Sequence, residues 1–68
     1  MDKLIDFIKY RYSLACEYPE HAETMRHQAF GALEMYHNLN PDEYGKCERL
    51  WCDEWLPKFI DIENQKED

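Results

Sequence analysis

Three apolar stripes, each at the spacing of a single helix face and separated by two proline-bearing breaks, constrain this chain more than any other feature. The first runs Leu4, Ile5, Ile8, Tyr12, Ala15; the second Ala22, Met25, Ala29, Leu33, Tyr36; the third Tyr44, Cys47, Trp51, Trp55. Residues three and four apart share one side of a helix, so the pattern reads as amphipathic helix throughout. The expected fold is all-α: a three-helix domain made of an antiparallel helical hairpin and a third helix kinked or restarted at Pro57. The same stripes claim most of the conspicuous side chains for the core and leave few for chemistry.

The breaks follow from proline geometry. The residue before a proline is pushed out of the helical region, which ends helix 1 before Pro19. Proline is tolerated in a first turn, and Glu20 and Glu23 suit the positive end of a helix, so helix 2 is expected to begin at Pro19 or Glu20. Asn40-Pro41-Asp42-Glu43 reads as the start of helix 3, with Asn40 as cap and Glu43 completing a capping box. Phe7, Leu14 and Tyr18 widen the apolar surface of helix 1, which makes helix 1 the expected central element. Beyond Pro57, the residues Leu56, Phe59, Ile60 and Ile62 do not continue the third stripe in phase. Residues 1–62 are read as one helical domain and 63–68 as a frayed polar tail.

Sixty-eight residues are close to the lower limit for a core that holds without metals, disulfides or a second subunit. The ten aromatic residues (two Trp, five Tyr, three Phe) offset that shortness, because each buries a large area. A chain 44% hydrophobic is not disordered despite a net charge of −7. With 15 acids against 8 scattered bases, no basic face exists for nucleic acid, which is excluded as a direct partner. The N-terminal Met1-Asp2-Lys3-Leu4-Ile5-Asp6 lacks the apolar run of a secretory signal, and no stretch reaches membrane-spanning length. The expectation is a cytoplasmic protein without membrane contact.

Glu34 and His37 have the Glu-x-x-His spacing of di-iron bundles, but Glu34 points away from the core stripe and the motif is not repeated. Cys16, His21 and Cys47 follow no zinc spacing. Cys47 and Cys52 lie about 140° apart on one helix and cannot pair; all three cysteines read as small apolar residues. Cys16 with His21 is the only thiol–base pair close in sequence, and a chain this short has little surface left for a cleft. His21, His27 and His37 fall at different helical angles and form no sensor cluster. No catalytic residue, metal ligand or cofactor is expected.

What remains is a surplus of apolar surface. Phe30 and Met35 flank the stripe of helix 2, Tyr10 sits on the polar side of helix 1, and Leu56 and Ile60 lie beside the Pro57 break. Gly31 faces outward with no packing reason. Phe30, Met35, Leu56 and Ile60 are therefore the expected contact residues for another protein or a second copy of this one.

Gln28-Ala29-Phe30-Gly31-Ala32-Leu33-Glu34, Leu39-Asn40-Pro41-Asp42-Glu43 and Leu50-Trp51 together resemble small uncharacterised helical proteins of phages and mobile elements in Gram-positive bacteria. The resemblance covers the second half of the chain. It implies a compact helical fold and a bacterial cytosolic setting, and it transfers no functional residue. The leading expectation is a small acidic interaction module. One rival is an inhibitor whose carboxylates imitate nucleic acid at a partner's cleft; another is a metal- or thiol-dependent enzyme.

Overall fold

Both expected breaks are built the same way. In the computed structural model, which describes residues 2–66, Tyr18 (φ −126°, ψ 75°) and Asn40 (φ −133°, ψ 71°) leave the helical region immediately before a proline. Each is followed by one turn of 3-10 helix, Pro19–His21 and Pro41–Glu43. These turns connect α1 (Asp2–Glu17) to α2 (Ala22–Leu39), and α2 to the third helix. The fold is all-α, with no strand among the described residues. No helix among them is long and apolar enough to cross a membrane.

Asn40 differs from expectation in its side chain. Its backbone N–H (2.9 Å) and its side-chain amide (3.0 Å) both donate to the carbonyl of Tyr36. Asn40 therefore closes α2, satisfying a carbonyl that the helix end would leave open. The capping box does not form; Glu43 pairs instead with Lys46 at 3.5 Å.

The third helix resolves the question posed by Pro57. It runs as α3 (Tyr44–Arg49), widens into π-helix over Leu50–Trp55, and restarts as α4 (Leu56–Lys66). The Leu56 N–H bonds to the carbonyl of Trp51, five residues back, and Leu56 keeps helical angles (φ −58°, ψ −46°). Pro57 thus falls in the first turn of α4, where a missing N–H and the ring are tolerated. α4 continues past the boundary expected at Ile62 and runs to Lys66; residues 67 and 68 lie outside the described residues.

The π segment also decides what is buried. Trp51, Trp55 and Phe59 are four apart, and in an α-helix each such step overshoots the face by about 40°. A wider turn absorbs the overshoot, so Phe59 and Ile62 enter the core with Trp51 and Trp55. The hairpin meets them with Leu4, Ile8 and Ala15 from α1 and Ala22, Ala29 and Leu33 from α2. Small residues let α1 and α2 approach closely, and the rings of the third helix fill the trough they share. Tyr12 lies edge-on to Trp55 (5.6 Å between centroids) and to Phe59 (5.5 Å), and Trp51 is 5.8 Å from Phe59. Such pairs add about 0.5–1.5 kcal/mol each beyond the area they bury.

As expected, α1 touches both of the others, packing along α2 and against α4; α2 does the same, meeting α1 and both α3 and α4. Of the extra strip on α1, Tyr18 stays exposed, and Phe7 has a different cover. The Arg11 guanidinium lies over the rings of Phe7 (4.9 Å) and Tyr10 (5.5 Å), and one of its nitrogens approaches the Met25 sulfur at 3.9 Å. The arginine's apolar stem and cationic face take the place a helix would otherwise occupy.

Candidate protein-contact site

On α2 the residues beside the core stripe recur at helical spacing: Arg26, His27, Phe30, Gly31 and Glu34. Their side of the helix faces the point where the third helix changes winding. There Trp51, from the π segment, and Leu56, the first residue of α4, stand opposite them. Between the two walls runs a groove of about 500 Å³. That size lies within the range of functional clefts.

The floor of the groove is apolar. Phe30 is 41% exposed, and its ring rests against Trp51 at 5.7 Å, tilted by 49°. Leu56 is half-buried against the core. Gly31 opens the wall between them: a Cβ built there would meet nothing within 4 Å.

The Phe30–Trp51 pair also borders a smaller crevice of about 100 Å³ toward α3, lined further by His37, Tyr44, Glu48 and Cys52. His37 and Tyr44 meet edge-on at 4.9 Å. A third depression, of about 330 Å³, lies over Glu23, Thr24, His27 and Gln28. All four belong to α2, so no second element walls it.

Charges around the groove are unequal. Arg26 Nε contacts Glu63 Oε1 at 3.2 Å, a partly buried pair that ties α2 to α4. His27 lies 3.9 Å from Glu23. Glu34 and Glu48 are exposed and have no ion pair among the described residues.

The four expected contact residues divide. Phe30 and Leu56 converge on the groove. Met35, 66% exposed, and Ile60 lie outside its lining. The spacing of Trp51 and Trp55 reads as core, with an interface anchor as the alternative; Trp51 is buried and also lines the groove. In the sequence Glu34 stands out only through its Glu-x-x-His spacing, and nothing in it marks Arg26 or Glu63 as neighbours of the groove. The signal for the α2 wall was available in part, since 27, 31 and 34 share the flank of α2 on which Phe30 sits.

The other candidates are placed plainly. Cys47 is buried, whereas Cys16 and Cys52 are exposed and free. Cys16 neighbours Tyr12, and no hydrogen bond joins it to His21 among the described residues. Hydrogen bonding to Cys16 raises the Tyr12 hydroxyl above its ordinary 10.0, followed by burial and the charges of Cys16 and Asp61. Among the described residues no three His, Cys, Asp or Glu side chains group as a metal site.

Comparison with protein-family models, curated proteins and solved structures finds no match. The functional reading therefore rests on this chain's own surface.

Proposed function

We propose that this protein is a small acidic interaction module that grips another protein through the groove between α2 and the third helix. The observation that carries the reading is the convergence of exposed Phe30 and half-buried Leu56 on a trough that Gly31 leaves open. Apolar surface gathered between two elements, with Arg26, His27 and Glu34 at its edge, has the make-up of a contact patch: a hydrophobic centre inside a polar rim. Met35 and Ile60 extend it as outlying contacts.

The test is capture of a partner from the native host, its identification, and titration of the purified pair. Phe30→Asp and Leu56→Asp each weaken binding tenfold or more, because a carboxylate is forced into the apolar centre. Tyr10→Asp, on α1, leaves affinity unchanged. Circular dichroism confirms folding of each variant. Full affinity in both groove variants, with helix content intact, sinks the proposal.

A further inference from the structure

We infer that the occupant of this groove is a lysine- or arginine-bearing amphipathic helix of another protein. Its apolar side seats over Gly31 between Phe30 and Leu56, and its cations meet Glu34 and Glu48. The inference rests on the contact reading above and adds the chemistry of the partner.

Charge supplies the first argument. The cation at the groove's edge, Arg26, is already held by Glu63, and His27 sits beside Glu23. Glu34, on the groove, and Glu48, on the adjoining crevice, face solvent without an opposite charge among the described residues. The whole chain carries −7. A partner bringing positive charge is drawn toward this surface, and one bringing negative charge is repelled. A second copy is a poor occupant for the same reason, since it doubles an already large like charge.

Shape supplies the second. The trough runs between two helices, and an amphipathic helix presenting anchors at i, i+3 or i+4 and i+7 is the element that lays into such a trough. Gly31 removes the side chain from the place where a docked backbone or anchor would come nearest. Its φ is not positive and nothing fills the space above it, so neither turn geometry nor packing accounts for the glycine. Gly45 is equally open but lies outside the groove, which makes it an internal control.

The experiment uses the full chain, nitrogen-15 labelled, and two synthetic helical peptides. Both carry the same leucine face, one with lysine and the other with glutamate on the polar face. The lysine peptide is expected to shift the amides of Phe30 and Gly31 and the indole of Trp51, while the glutamate peptide shifts none of them. Glu34→Gln and Glu48→Gln each weaken binding roughly two- to fivefold, the scale of an exposed ion pair. Gly31→Ala weakens it about tenfold, the scale of one obstructed anchor, and Gly45→Ala leaves it unchanged.

Equal binding of both peptides, shifts spread over the whole surface, or an unaffected Gly31→Ala variant overturns the inference. So do groove resonances that move with protein concentration alone, which would make a second copy the occupant. Silence with both peptides overturns it too. The contact reading then stands or falls separately, on whether Phe30→Asp abolishes partner capture.

Discussion

Cys47 is a side chain whose environment sets a measurable property of the whole fold. Burial, and then the negative charge of Glu43, pushes its thiol above the ordinary value of 9.0. Tyr12 is shifted in the same direction, led by its hydrogen bond to Cys16. Both groups hold their protons more tightly folded than unfolded. Their contribution is complete below the unfolded values and is lost as pH rises through the folded ones. The urea midpoint is therefore expected to fall between about pH 8 and pH 10.5, and Cys47→Ala reduces the slope whatever it does to absolute stability. A midpoint that rises over that range contradicts the account. At this scale much was legible in the sequence. Leu4, Ile8, Ala29, Leu33, Trp51 and Trp55 lie in the core where their spacing puts them. Tyr44 does not: its spacing sets it on the third stripe, yet as the first residue of α3 it is exposed, its ring edge-on to His37.

The three prolines show how the same residue type acts differently in different elements. Pro19 and Pro41 follow residues outside the helical region and make true breaks, whereas Pro57 follows a helical residue and stands where the π segment gives way to the restarted α4. The difference lies in the π-helical turn, which brings the chain to Pro57 as the start of a new α-helix. Pro57→Ala is accordingly expected to change unfolding free energy by no more than about 1 kcal/mol, measured by urea titration. A proline strained in a helix interior gives about 3 kcal/mol back when replaced, and a gain of that size rules the arrangement out. This element was the least legible part of the fold. Period-based reading assumes 3.6 residues per turn throughout, so Phe59 and Ile62 fell out of phase. The groove was hidden for a related reason, since Leu56 reaches it only after the change of winding, and the facing of two helices is not a property of either sequence alone.

At the scale of the molecule, the bundle measures 40 × 18 × 15 Å with a radius of gyration of 12.0 Å. A domain of this length is expected near 11 Å, so the shape is elongated. Its 4741 Å² of accessible surface is close to the roughly 4,600 Å² typical of a monomer of this mass. The core is thus covered as in an ordinary monomer, and the large apolar side chains left exposed are spread over the molecule, at Tyr10, Tyr18, Phe30, Met35, Leu39, Tyr44 and Ile60; of these, Phe30 lines the groove. An elongated body carrying −7 repels itself, and added salt screens that repulsion. Raising sodium chloride from about 0.01 M to about 0.3 M should increase the melting temperature by several degrees, the shift that about 1 kcal/mol produces in so small a domain. A melting temperature that drops instead shows that the ion pairs of the surface outweigh the net charge.

Trp51 belongs at once to the packed interior and to the edge of the groove, and that double position equips the protein with its own optical gauge. Whatever settles against Phe30, whose ring lies 5.7 Å from that of Trp51, alters the packing and local field around the indole, and its emission changes colour and yield as it does so. Trp55, equally buried but outside the groove and with Lys58 4.4 Å over its ring, supplies a steadier background. Occupancy can thus be followed by intrinsic fluorescence, with no dye attached and no residue altered.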